Sequence, residues 1–193
     1  MQEETPKIVT LENLQGENQL EQARERLLDP SLNWGWLPPG IVKDIRRYDW
    51  YQLQHVIFDT DNENSHLMDL SMMILNHALE QTNRRLRHIF KVRIINSLPG
   101  PLLKTLPHID LPGPHQTAIW FPVDSDGDTL VYPEKSWMQR WDMPEEFSEP
   151  EKLAPKSNTY YEFDGTHWRT DGRPVEISHR PCLVWNFVAD PKE

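Results

Sequence analysis

The sequence predicts an α+β protein in which a helical layer packs on an antiparallel sandwich or jelly roll. Three observations carry this. Helix-period apolar spacing is confined to the first half of the chain. After about residue 90 the texture changes to short strand-like runs separated by Pro, Gly and Asp. Seventeen prolines argue against an all-helical bundle, while eight Trp, six Phe and five Tyr supply bulky core material despite an apolar fraction of only 37%. With 193 residues the chain has the size of one domain, able to bury a core without metal or disulfide staples.

The elements follow in order. Residues 1–15 are polar and are expected to be mobile or loosely docked, leaving residues 16–193 as a single domain. Helical support spans about 16–88. Glu17 to Leu28 has helical composition and is closed by Asp29-Pro30. Residues 34–51 mix aromatics with a Pro38-Pro39-Gly40 turn and carry no clear period. Asn64 or Ser65 can cap a helix running to about Arg87, with Leu67, Leu70, Ile74, Leu75, Ala78, Leu79 and Leu86 on one apolar stripe. Arg84, Arg85, Arg87, Lys91 and Arg93 then read as a solvated helix end.

A jelly-roll core is expected over about 89–190, with strands at 90–98, 106–111, 117–123, 129–132, 158–163 and 175–188. Between them, residues 135–156 form an acidic insertion with Trp137 and Trp141, long enough for a lid or surface excursion. Asp124 to Asp128 resembles an EF-hand loop only loosely. Its glycine falls at the fourth position and Lys135 stands at the twelfth, so it reads as a turn. Trp120, Trp168 and Trp185 read as core.

Twenty Lys+Arg against thirty Asp+Glu give a net charge of -10, which disfavours a nucleic-acid partner. Up to Ser97 the chain has 11 basic and 14 acidic residues; after it, 9 and 16. The second half is therefore the more acidic, and cations there are scarce. The single Cys182 excludes an intrachain disulfide and a multi-thiolate metal site, and reads as a small buried residue. With an acidic start and no long apolar run, the expectation is a cytoplasmic protein with no membrane contact.

The chemistry-bearing segment is Pro107-His108-Ile109-Asp110. In an extended strand His108 and Asp110 point to one face and can present an imidazole and a carboxylate to one ion. With 8 His in the chain such a pair is weak evidence alone, so its context must supply the rest. Downstream, Tyr160 to Thr166 leads into His167, and Arg180 follows thirteen residues later. Two imidazoles and a carboxylate on one face of Fe(II) leave three positions open, enough for a bidentate 2-oxo acid and dioxygen. A guanidinium suits the far carboxylate of such a co-substrate.

In this order of residues the chain resembles the Fe(II)- and 2-oxoglutarate-dependent oxygenases, nearest their small bacterial and phage-type, prolyl-hydroxylase-related members. The stretches NSLPGPLLKTLPHID, IWFPVDSDGDTLVYPE, APKSNTYYEFDGTHW and HRPCLVWNF carry the likeness, over about half the chain. The resemblance implies a double-stranded β-helix, that is, a distorted jelly roll, with supporting N-terminal helices. It implies Fe(II), 2-oxoglutarate and O2 as cofactors, His108, Asp110 and His167 as iron ligands, and Arg180 as the 2-oxoglutarate anchor. Asn96 and Tyr132 become candidate further contacts to 2-oxoglutarate. The implied reaction is hydroxylation of an amino acid, a peptidyl residue or a small metabolite with release of succinate and CO2. Two departures stand out: Cys182 replaces a frequent Ser or Thr two residues after the arginine, and Arg169 stands where a second histidine is expected. His179 is the alternative distal histidine, but no arginine then remains in the required place. His115 is a candidate pocket acid or base, or an ordinary loop histidine. The alternatives from other classes are a noncatalytic jelly-roll binding module and a metal-dependent hydrolase using the same His/Asp/His ligands, which would have no need for Arg180.

Overall fold

The computed structural model describes residues 5–37, 40–42, 46–48, 52–59, 66–99, 107–137, 143–172 and 179–192. The chain begins with β1 (Val9–Leu11), α1 (Glu17–Leu27), β2 (Gly35–Leu37), β3 (Gly40–Val42), β4 (Arg46–Tyr48) and β5 (Gln52–Asp59). Then come α2 (Met68–Gln81), β6 (Arg84–Ser97), β7 (Gln116–Phe121), β8 (Thr129–Lys135), β9 (Glu151–Leu153), β10 (Thr159–Asp164), β11 (His167–Thr170) and β12 (Arg180–Pro191). A seven-stranded antiparallel sheet runs β1-β10-β7-β12-β6-β5-β2, faced by a three-stranded sheet β11-β8-β9; β3 and β4 form a separate pair.

Alternation along the central strands divides the side chains between two layers. One face of the large sheet presents Val92, Ile94, Trp120, Tyr160, Leu183, Trp185 and Phe187 to the helices, which contribute Ala23, Leu27, Leu70, Ile74, Leu75, Ala78 and Leu79. The expected stripe on α2 is thus buried as a unit. The opposite face carries Ile95, Ile119, Phe121, Tyr161, Phe163, Cys182 and Val184, closed by Val131 and Leu153 of the small sheet. This second layer is the interior of the jelly roll. The expected α+β jelly roll with supporting helices is the fold observed, and Trp120, Trp168 and Trp185 are all fully buried.

Several boundaries differ from expectation. The second helix stops at Gln81, not near Arg87, because Asn83 takes a left-handed φ of 52° and turns the chain into β6. Leu86 and the basic cluster consequently lie on a strand, where Arg84 forms an ion pair with the buried Glu162. Asn64 and Ser65 lie outside the described residues. Around His108 the structure has a single bridge to Arg169 instead of a strand over 106–111; residues 101–106 lie outside the described set. Of the strand expected over 175–188, positions 175–178 lie outside the described residues, and β12 runs from Arg180 on to Pro191. In the insertion, Met143 and Phe147 pack on Ile109, Tyr132 and Trp168, and β9 pairs with β8, so this part covers the outer face of the small sheet. Trp141 lies outside the described residues, and Trp137 is exposed.

The described part of the N-terminal segment, residues 5–15, is docked on the sheet and is no loose arm. β1 adds to the edge of the large sheet, and Leu14 and Gln15 are buried. The clamp is Asn158, whose side chain accepts from the Gln15 N–H at 2.9 Å and donates to the Gln15 carbonyl at 2.7 Å. Its backbone φ of 57° is one that Asn tolerates better than most residues. Asn158→Ala strands two buried backbone groups in a strained backbone, so it is expected to cost about 2–4 kcal/mol. Thermal unfolding followed by circular dichroism checks this, with Tm expected to fall by at least about 5 °C; an unchanged Tm contradicts the clamp.

Candidate functional site

The interior of the jelly roll is apolar at one end and charged at the other. Four strands, β6, β8, β11 and β12, and the segment bearing His108 set the charged end. β12 turns Arg180, Cys182, Val184 and Asn186 inward by strict alternation, and β6 supplies Arg93 beside Ile95. β8 contributes Thr129 and Val131. His108 and Arg169 form a directly opposed, hydrogen-bonded pair, each backbone N–H donating to the other's carbonyl at 2.9 Å. Opposed residues of such a pair share a face, so His108, Asp110, Arg169 and Asp171 converge. Ile109, Trp168 and Tyr132 alternate to the other side and meet the insertion.

The centre of this cluster is Asp110, almost fully buried. Arg169 Nη2 donates to both of its oxygens, at 3.0 and 2.9 Å, Arg93 Nη2 donates to Oδ1, and Asn186 Nδ2 donates to Oδ2 at 3.1 Å. Arg169 Nη1 meanwhile donates to Asp171 Oδ1 at 2.8 Å, so one guanidinium bridges two buried carboxylates. Burial alone would raise the Asp110 pKa; the charges of Arg169, Arg93 and His108 and the Asn186 hydrogen bond outweigh it and hold it well below the usual value of 3.8. Asp171 is lowered too: burial opposes the shift, and Arg169, His108 and Arg180 overcome it. Burial would weaken the protonation of Arg169, but Asp110 and Asp171 raise its pKa instead. His108 Nε2 lies 4.0 Å from Asp110 Oδ1 and 3.9 Å from Asp171 Oδ2.

Arg180 sits deeper, fully buried, with its Cζ 4.9 Å from the centre of the Phe121 ring. Its Nη2 donates to Thr129 Oγ1, while Nε and Nη1 have no partner among the described residues. The Nε groups of Arg93 and Arg169 also lack partners among the described residues. Cys182, two residues beyond Arg180, has its thiol pushed up to about 11 by burial.

The residues expected to act together are therefore brought together only in part. His108, Asp110 and Arg180 share the interior. His167 is held elsewhere: a register irregularity in β11 between positions 167 and 169 separates it from Arg169, and its Nδ1 lies 2.8 Å from the Tyr132 carbonyl oxygen. It lines a recess of about 240 Å³ with Thr5, Lys7, Lys135 and Asp164. Burial, followed by Lys135, lowers its pKa from 6.5, so the ring is neutral at pH 7. Asn96 alternates with Val92 and Ile94 toward the helix side of β6, away from Arg180. Tyr132 packs its ring 4.6 Å from that of Phe147 on the outer face. His115 is buried against Gly165, its Nδ1 2.9 Å from the Gly113 carbonyl oxygen. Arg169, Asp171, Arg93, Thr129 and Asn186 join the site without having been singled out as its members. The signals for them were Arg169 in a histidine's place and the repeated i, i+2 spacing of Arg169 and Asp171.

A facial metal site does not fit this donor set. A carboxylate has about four lone-pair positions, and those of Asp110 receive Arg93, Asn186 and two contacts from Arg169. The side chain opposite His108 is a guanidinium, which donates and cannot ligate. Among the described residues no three His, Cys, Asp or Glu side chains are grouped to hold a metal ion.

No family model matches the sequence, and the search of curated proteins gives no match. Solved structures do match in fold. The non-heme alpha ketoglutarate dependent epimerase SnoN from nogalamycin biosynthesis aligns with a TM-score of 0.64 at 11% identity, over 96% of this chain and 81% of that one. An oxidoreductase of the 2OG-Fe(II) oxygenase family from Burkholderia pseudomallei gives 0.61 at 16%, over 93% and 84%. A prolyl hydroxylase from Trichoplax adhaerens, in complex with a hypoxia inducible factor peptide fragment, gives 0.57 at 15%, over 93% and 83%. The chain thus has the fold of the 2-oxoglutarate oxygenases. No helix among the described residues is long and apolar enough to cross a membrane.

Asp110→Asn leaves Arg93 and Arg169 without their shared charge, a loss of about 3–5 kcal/mol for a broken buried pair. Because the folded pKa of Asp110 is depressed, its stabilisation is fully present above pH 3.8 and drains away as pH falls through the lower folded value. Urea unfolding of both proteins across pH 2.5 to 7, about the range needed, should show a gap constant down to the usual carboxylate range and narrowing below it. A gap independent of pH to the acid limit contradicts the ionised cluster.

Proposed function

We propose that the charged end of the jelly-roll interior binds an organic dicarboxylate, with 2-oxoglutarate the member that best suits it, and that Arg180 anchors one carboxylate. The observation that carries this reading is Arg180 itself: fully buried, fixed by Thr129, and left with unpartnered Nε and Nη1. Buried donors without partners cost about 1–3 kcal/mol each, and a bound carboxylate removes that cost. Charge points the same way. The three guanidinium groups of Arg93, Arg169 and Arg180 face only the two carboxylates of Asp110 and Asp171 among the described residues of the cluster, leaving at least one positive charge in excess before His108 is counted. That excess stands inside a chain of net charge -10.

The likeness in fold to 2-oxoglutarate oxygenases supports the choice of ligand. Hydroxylation of an amino acid, a peptidyl residue or a small metabolite is the finer activity implied by the sequence resemblance. It requires a metal that the described donor set does not fit. A hydrolase using the same ligands meets the same obstacle and leaves Arg180 without a role.

Calorimetric titration with 2-oxoglutarate, and with succinate to score the contribution of the 2-oxo group, tests the reading. The chain should bind 2-oxoglutarate, and Arg180→Ala, its fold checked by circular dichroism, should bind at least about tenfold more weakly, as expected for a lost charge-assisted contact. No binding by the parent chain, or equal affinity in the variant, contradicts the proposal.

A further inference from the structure

We infer that Arg169 takes the place of a metal ion: its guanidinium is the fixed cation of the site, and the site binds its carboxylate ligand without metal. The inference rests on the dicarboxylate reading for the ligand, and on geometry of its own for the exclusion of metal.

Position 169 is the position of β11 directly opposite His108, joined to it by two backbone hydrogen bonds. A side chain there is aimed at the face that His108 and Asp110 share. An imidazole at that position would complete a His, Asp, His set on one face, the arrangement that suits iron, cobalt or nickel. Arginine instead puts a permanent charge there, because a guanidinium stays protonated in proteins. Its Nη2 spans both oxygens of Asp110, where a metal would draw on the same lone pairs, and its Nη1 holds Asp171. A metal would have to displace these contacts and stand beside three guanidinium groups, those of Arg93, Arg169 and Arg180.

The replacement is built into the surroundings. Arg169 is nearly fully buried, and Asp171 follows it at the spacing that returns a strand side chain to the same face. Asp171 thus supplies a second carboxylate, which a metal-binding histidine at 169 would not need. Arg169 and Arg93 each keep an unpartnered Nε. These donors are independent of Arg180 and mark the cluster as a receptor for further oxygen atoms of a ligand.

The experiment uses the full chain and Co(II) as a spectroscopic probe. Visible absorption of the Co(II)-titrated parent protein should show no ligand-field bands of a bound ion, and 2-oxoglutarate affinity should be the same with and without EDTA. Arg169→His should acquire Co(II) binding at least about 100-fold tighter than the parent, as one added imidazole completes the set. Adding Asp110→Ala to that variant should abolish the gain. One equivalent of Co(II) bound by the parent and lost in His108→Ala overturns the inference, whatever becomes of the variant. So does a folded Arg169→His that gains no Co(II) affinity, or 2-oxoglutarate binding that needs a metal. Should the parent bind neither Co(II) nor 2-oxoglutarate while Arg169→His gains Co(II), the dicarboxylate reading fails and the exclusion of metal by Arg169 stands.

Discussion

The guanidinium of Arg169, set between Asp110 and Asp171, is the interaction on which the charged end of this jelly roll depends. Two carboxylates buried this deeply could not stay ionised alone; desolvation would protonate them. Arg169 makes their charge tenable, Arg93 and Asn186 complete the coordination of Asp110, and the backbone pairing of His108 with Arg169 fixes the segment bearing Asp110 against the small sheet. The same contacts exhaust the lone pairs of Asp110. One choice of residue at position 169 therefore determines both how the interior is held together and what it can coordinate.

Around that point the fold separates its tasks by side-chain parity. On β12, Leu183, Trp185 and Phe187 pack toward the helices, while Arg180, Cys182, Val184 and Asn186 line the interior. The apolar layer supplies a rigid backing, and the interior layer carries two carboxylates held ionised by Arg93 and Arg169, with guanidinium donors left over. On β8, Thr129 and Val131 face inward, while Leu130 and Tyr132 face the insertion. Phe147 and Met143 cover Trp168, whose neighbours His167 and Arg169 have different surroundings.

Much of this was legible in the sequence because it rests on period and residue type. The apolar stripe of α2, the tryptophan core and the strand-rich second half follow from burial demands that local patterns express directly. The end of α2 was not legible, because the turn depends on Asn83 adopting a left-handed conformation, while the composition of residues 84–87 is equally compatible with a helix. The docking of Leu14 and Gln15 depends on Asn158, more than 140 residues away, and no local pattern reports such a contact. Within the site, His108, Asp110 and Arg180 stand out by spacing. The order of residues singles out His167, because Arg180 follows it at the required spacing and His179 leaves no such arginine; the irregularity in β11 that separates it from Arg169 is a tertiary feature. Arg169 was noticed as a departure, yet its role requires knowing that it lies across from His108.

In this reading a buried guanidinium cluster, and no metal, receives the ligand. NMR of protein labelled with 15N-arginine observes it directly through the Nε–H signals of Arg93, Arg169 and Arg180. Protected signals are expected for these three, shifted by 2-oxoglutarate in the presence of a chelator and left unbroadened by stoichiometric paramagnetic Co(II). Selective broadening of these signals by one equivalent of Co(II), or shifts on adding 2-oxoglutarate only when metal is present, would contradict it.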